Sequence, residues 1–217
     1  MSGIAFRELS PVSFLERAAA VFADRPAVVD GTRRDTYAQL WDRAQRLAGL
    51  LAARGIRPGD RVAVLSPNTH LLLEAHYGVP LAGAVLVALN TRLAPSEIAY
   101  ILDHSGASLV LVDAEHRDAL GEPPIPVIDS GDYDALVDAA EPHRVEVTDE
   151  RSLLSINYTS GTTGRPKGVM YHHRGAYLQA LAMAYHAKLD TSSHYLWTLP
   201  MFHTKQYCRE LPSPVTA

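Results

Sequence analysis

The 217-residue sequence holds a single cysteine, Cys208, so an intrachain disulfide is impossible and a reducing compartment fits best. Lysine is nearly as scarce: only Lys167, Lys188 and Lys205 stand among the 20 basic residues, the rest being arginine. Basic charge is in deficit overall, with 24 acidic residues and a net charge of −4, which argues against a general binder of nucleic acid or anionic membrane. No unbroken apolar run reaches membrane length. Residues 71–89 come nearest, but Glu74, His76 and Pro80 interrupt them, and they read as a buried helix, a break at Gly83 and a strand. Arg7, Glu8, Glu16 and Arg17 fall where a secretory leader needs an apolar stretch, so no leader and a cytoplasmic location are expected. Several catalytic patterns are lacking as well: there is no G-x-G-x-x-G, no Gly-Lys-Ser/Thr loop and no G-x-S-x-G elbow. His172, His173, His186, His194 and His203 share no zinc-ligand spacing, so no metal site is expected.

What is present is ordinary globular composition, 47% hydrophobic and 20% charged, over a length that can bury a sizeable core. Ser10-Pro11 predicts a helix start, with the helix running to about Phe22. A strand over 27–30 follows. Thr36 then caps a long helix whose apolar stripe is Tyr37, Leu40, Trp41, Ala44, Leu47 and Leu51, stopped at Gly55. Strands are predicted over 61–65, 84–88, 108–112 and 127–129, with helices over 69–82, from Pro95 to Gly106 and around Ala135. This alternation implies an α/β fold: a mainly parallel sheet with flanking helices. Residues 141–151 carry neither period. Trp41 and Trp197 read as packing residues, and the Arg33-Arg34 and Arg54/Arg57/Arg61 groups as solvated faces.

One segment carries chemistry. A strand over 153–158 runs into Thr159-Ser160-Gly161-Thr162-Thr163-Gly164-Arg165-Pro166-Lys167-Gly168, and a helix follows from about His173 to Lys188. Glycines let successive backbone N–H groups turn inward as an anion nest, hydroxyls add donors, and Lys167 adds a point charge. A solvated Ser/Thr/Gly turn is the bland alternative for such a composition. Ser160 has no evident base partner that would make it a nucleophile.

The order of residues narrows this choice. Tyr158 to Val169, Tyr-Thr-Ser-Gly-Thr-Thr-Gly-Arg-Pro-Lys-Gly-Val, closely resembles the phosphate-loop signature of the adenylate-forming (AMP-binding) superfamily. That superfamily includes acyl-CoA synthetases, firefly luciferases and peptide-synthetase adenylation domains. Residues 55–62 with Ser66-Pro67-Asn68, residues 89–93 with 97–102, His173-Arg174, and Thr198-Leu199-Pro200-Met201-Phe202-His203 are similar to the acid–CoA ligases in particular.

The resemblance implies an incomplete N-terminal domain of an adenylate-forming enzyme: a partial AMP-binding domain over 1–203 and a divergent tail over 204–217 outside the family fold. It also implies the family reaction, in which a fatty or other apolar carboxylic acid attacks the α-phosphate of Mg·ATP. Coenzyme A then displaces AMP from the acyl-adenylate. Carried over by position, Thr159, Ser160, Gly161, Thr162, Thr163, Gly164 and Lys167 bind the ATP phosphates, and His203 lines the acyl–adenylate pocket. No catalytic residue is assigned. The family's adenine- and Mg-binding motif, ribose-binding aspartate and C-terminal lysine do not occur in these 217 residues, so little or no activity is expected of the chain alone. An uncovered sheet edge favouring self-association is expected too. A non-catalytic fragment that at most binds nucleotide phosphates or a partner chain is the alternative from a different class, and an adenylation domain of a peptide synthetase or a luciferase-like enzyme is the alternative within the superfamily. A frameshift after the codon for His203 would account for the tail.

Overall fold

Alternating burial along short apolar runs organises the molecule. The computed structural model describes residues 6–159, 165–202 and 215–216. The chain opens with α1 (Val12–Val21), β1 (Pro26–Asp30), β2 (Arg33–Thr36) and α2 (Tyr37–Ala53), then β3 (Arg61–Leu65), α3 (His70–Leu81) and β4 (Val85–Ala88). It continues through α4 (Pro95–Ser105), β5 (Ala107–Val112), α5 (Arg117–Leu120), β6 (Val127–Asp129) and α6 (Ser130–Ala139). After a non-regular stretch come β7 (Leu153–Thr159), β8 (Lys167–His172), α7 (His173–His186), β9 (Tyr195–Leu196) and β10 (Val215–Thr216).

The central sheet has six strands in the order β6-β5-β3-β4-β7-β8, all parallel except β8, which returns antiparallel beside β7. Period two divides its side chains between two cores. Val62, Val64, Leu86, Ala88, Leu109 and Leu111 face the helices α1, α2, α3 and α6. Ala63, Leu65, Val85, Val87, Val110 and Val112 face α4 and α5. Fully burying one such side chain contributes roughly 1.5–3 kcal/mol, which explains why β3 to β5 are apolar on both faces.

Local chemistry sets the helix ends. Thr36 and Gln39 form a reciprocal capping box: the Thr36 hydroxyl accepts from the Gln39 N–H at 3.3 Å and the Gln39 side chain accepts from the Thr36 N–H at 2.8 Å. Gly106 ends α4 at φ 61°, a left-handed conformation that glycine adopts without a Cβ clash. At α1 the expectation fails. Pro11, not Ser10, is the cap residue, and the Ser10 hydroxyl lies 2.9 Å from His173 Nδ1, tying the amino-terminal segment to the start of α7.

Other departures share a cause, namely partners distant in sequence. β2 and β8 were not predicted, because neither shows apolar alternation; each forms by pairing with a neighbouring strand, β1 or β7. The 141–151 stretch has no helix or strand, yet it is not loose. His143 N–H donates to Gln45 O at 3.0 Å, Val145 N–H to Leu81 O at 2.7 Å, and Arg144 pairs with Glu16 at 2.5 Å. Arg33 and Arg61 are not simply solvated. Arg33 reaches Asp35 at 2.6 Å, and Arg61 donates to the Ser105 carbonyl at 2.8 Å, at the end of α4. Within the segment read as a divergent tail, Val215–Thr216 pairs in parallel with both β1 and β9, giving a second sheet in the order β2-β1-β10-β9.

Glu74, the acid that interrupts the apolar run, is wholly buried in α3. Arg43 meets it at 2.6 and 3.2 Å, the Tyr133 hydroxyl donates to it at 2.8 Å, and Arg33 reaches it at 3.4 Å. Burial alone would lower the Arg43 pKa, but the hydrogen bond and charge of Glu74 hold it above its ordinary value.

Candidate phosphate site at the carboxyl edge of the sheet

Parallel strands end on the same side, so the segments following β3, β4, β5 and β7 gather along one edge of the sheet. Open α/β sheets bind ligands along that edge, where successive connections diverge to opposite faces. Here β3 and β5 are neighbours whose following helices, α3 and α5, pack in different cores. The divergence therefore falls at the end of β3, beside Ser66-Pro67-Asn68. Strand β7, on the far side of β4, ends on this edge at Thr159.

Thr159 pairs across the hairpin with Lys167, and both side chains are exposed. Among the described residues Lys167 has no ion-pair partner. Ser160, Gly161, Thr162, Thr163 and Gly164 lie outside the described residues, and so does His203. The expected order of strand, loop and helix needs one correction: β8 intervenes, pairing antiparallel with β7, and α7 starts only after it. Gly168 permits the close pairing. A Cβ there would meet Ile156 Cγ2 at 2.9 Å and the Tyr158 ring at 3.3 Å, so the tyrosine covers the glycine opposite it.

A short ladder of rings braces the hairpin against α4. The Tyr158 hydroxyl lies 2.7 Å from His104 Nδ1, the His104 and Tyr100 ring centroids are 5.3 Å apart, and the Arg165 guanidinium sits 5.6 Å from the Tyr100 centroid. Burial, reinforced by Tyr100, holds the Tyr158 pKa above the ordinary phenol value. At the start of α7, burial and the neighbouring His172 push His173 down to about 4, so it is neutral near neutral pH. Trp197, Met201 and Phe202, which lead to His203, are buried in the core shared with α1–α3, so Trp197 is a packing residue.

Sequence reasoning missed Tyr100, His104, Asn68 and Asn157 as parts of this region. Asn68, in the family-like turn after β3, and Tyr100, in the family-like segment 97–102, carried a signal that could have flagged them; His104 and Asn157 did not. Asp113, Glu115 and His116 place donor atoms within 4.8 Å of one another, a proximity their sequence spacing did not advertise. Asp113 caps the turn it begins, accepting from Glu115 N–H at 3.0 Å.

The fold is thus an α/β domain in which Thr159 and Lys167, the described ends of the candidate loop, lie at the carboxyl edge of a mainly parallel sheet. The family model described as AMP-binding enzyme matches residues 15–217, and the chain belongs to that family of adenylate-forming enzymes. It is 38% identical to 4-hydroxybutyrate–CoA ligase 2 of Metallosphaera sedula, over 95% of this chain and 42% of that protein. It is 37% identical to the peroxisomal acetate/butyrate–CoA ligase AAE7 of Arabidopsis thaliana, over 94% of this chain and 42% of the relative. Among solved structures it resembles the inhibitor-bound N-terminal domain of FACL13 from Mycobacterium tuberculosis, with a TM-score of 0.88 and 32% identity over 96% of this chain and 56% of that one. The chain spans about two fifths of the length of the curated relatives it matches. No helix among the described residues is long and apolar enough to cross a membrane.

Proposed function

We propose that this chain supplies the phosphate-gripping part of an AMP-forming acid–CoA ligase. Residues Thr159 to Lys167 hold the β- and γ-phosphates of ATP, and His203 borders the acyl–adenylate pocket. The observation that carries this reading is the exposed Lys167, facing Thr159 at the mouth of a hairpin on the sheet edge where α/β domains take ligands. Its ammonium is one of only three on the chain, and it is not consumed by an ion pair among the described residues. The acid substrate is a fatty or other apolar carboxylic acid, in keeping with the butyrate, hydroxybutyrate and benzoate named for the relatives. The chemistry asks for positioning and charge neutralisation as pyrophosphate leaves, not for a protein nucleophile. Mg·ATP and coenzyme A are the co-substrates of the whole reaction, and a cytoplasmic setting suits them.

The 217 residues by themselves carry out little or no ligation, because they hold the phosphate contacts without the adenine, ribose and metal motifs of the family. Titration calorimetry with ATP tests the first part: Lys167→Ala should weaken binding by about tenfold, the loss of one charge-assisted contact worth roughly 1.4 kcal/mol. Clear binding with identical isotherms for both proteins would remove Lys167 from the site. Steady AMP release by the purified chain, dependent on a carboxylic acid and coenzyme A, would refute the second part.

A further inference from the structure

The segment that leads to His203 is held over the sheet by side chains instead of by a strand ladder. Leu199 to Phe202 has no regular structure, yet Met201 and Phe202 are buried. Asn68, in the turn after β3, grips this segment at two points: its Nδ2 donates to the Leu199 carbonyl at 2.8 Å, and its Oδ1 accepts from the Met201 N–H at 2.7 Å. Asn157, buried in β7 two residues before the candidate loop, donates from Nδ2 to the Phe202 carbonyl at 2.6 Å. Each bond joins elements far apart in sequence, and the partners are backbone groups that a non-regular segment would otherwise leave unsatisfied. A carboxamide suits this task because it carries a donor and an acceptor on one short side chain.

Both asparagines sit at the carboxyl edge of the sheet, one beside the divergence point and one on the strand that enters the phosphate hairpin. We propose that Asn68 and Asn157 are positioning residues that fix the 199–202 segment in register with the phosphate hairpin, and so set the distance between the acyl–adenylate pocket and the phosphate grip. This rests on the functional reading given above. Neither side chain is assigned a contact with substrate; each acts through the backbone it holds.

The test separates a positioning role from simple loss of stability by using two ligands with different reach. Inorganic pyrophosphate probes the phosphate grip, whereas a non-hydrolysable butyryl-adenylate analogue, which carries only the α-phosphate, probes the side of the site next to residues 199–202. Calorimetry on the purified 217-residue chain compares wild type with Asn157→Asp, Asn157→Ala, Asn68→Ala and Lys167→Ala. Asn157→Asp keeps the side chain's size while replacing the donor with an acceptor that faces the Phe202 carbonyl. Each asparagine variant should weaken the adenylate analogue by about five- to tenfold, the worth of the one buried bond lost at Asn157 or of the exposed and part-buried pair lost at Asn68, and leave pyrophosphate within about twofold. Lys167→Ala should show the reverse preference. Hydrogen exchange supplies a ligand-free readout: the Met201 amide should lose protection in Asn68→Ala while the amides of β3 and β4 keep theirs. Equal weakening of both ligands, or an unchanged Met201 amide, would overturn the positioning role. If wild type bound neither ligand, the functional reading itself would fall and take this proposal with it.

Discussion

The buried carboxylate of Glu74 offers the sharpest test of how the helical layer is held. Replacing it in Glu74→Gln preserves shape but deletes the charge that faces Arg43 at 2.6 and 3.2 Å and Arg33 at 3.4 Å. It also exchanges one acceptor oxygen for an amide donor, and because Arg43 donates to both oxygens, either placement sets that amide against Arg43. Removing one partner of a buried pair costs about 3–5 kcal/mol, because the other charge stays in a poorly solvating site. Asp134 and Asp138 still approach Arg43, but their side chains are 50% and 68% exposed, so they moderate the loss without replacing Glu74. The expected cost is therefore about 3 kcal/mol, at the lower end of that range, and at about 2–4 °C per kcal/mol for a chain of this length the melting temperature should fall by roughly 6–12 °C. Calorimetric melts of wild type, Glu74→Gln and Asp138→Asn measure it directly. Asp138→Asn, at the wet end of the network, should cost less than about 1 kcal/mol. The paired change Arg43→Met with Glu74→Leu should melt above Glu74→Gln, since it removes both charges together. A Glu74→Gln protein melting within about 2 °C of wild type would refute the claim that this carboxylate is the main buried counter-charge of Arg43.

Two further outcomes follow from the same structure. His173 is held at about 4 where an unfolded histidine takes its proton near 6.5, so stability is full above 6.5 and drains away as the pH falls between those values. The loss should approach about 3 kcal/mol, and His173→Gln should give a flatter plot of melting temperature against pH over that interval. Gly49 in α2 lies so close to the following segment that a Cβ would stand 1.8 Å from the Glu141 carbonyl oxygen. Gly49→Ala should accordingly destabilise the protein by about 1–3 kcal/mol in urea titrations, opposite in sign to the gain of up to about 1 kcal/mol that helix propensity alone predicts.

The α/β alternation was legible because each element buries its own stripe. The run Arg61–Leu65 is apolar on both faces since both faces meet helices, and the box of Thr36 and Gln39 and the left-handed Gly106 lie within a few residues of the ends they set. The candidate phosphate loop could be read for a similar reason: its chemistry is contiguous, packed into residues 158–169. What stayed hidden depends on neighbours remote in the chain. Strand β8 exists by virtue of pairing with β7, and the Arg33-Arg34 pair looks solvated until Arg33 is seen reaching across 41 positions to Glu74. Nothing in the sequence gives the partners of Asn68 and Asn157, which are carbonyl and amide groups 131, 133 and 45 positions away. Hydrophobic period reports the burial of a residue's own element, so the sequence by itself determined the layers, several of the helix ends and where the candidate phosphate loop falls along the chain. Which polar groups meet at the carboxyl edge was decided only by the tertiary fold, because hydrogen bonds and buried charges need specific partners whose proximity no local pattern encodes.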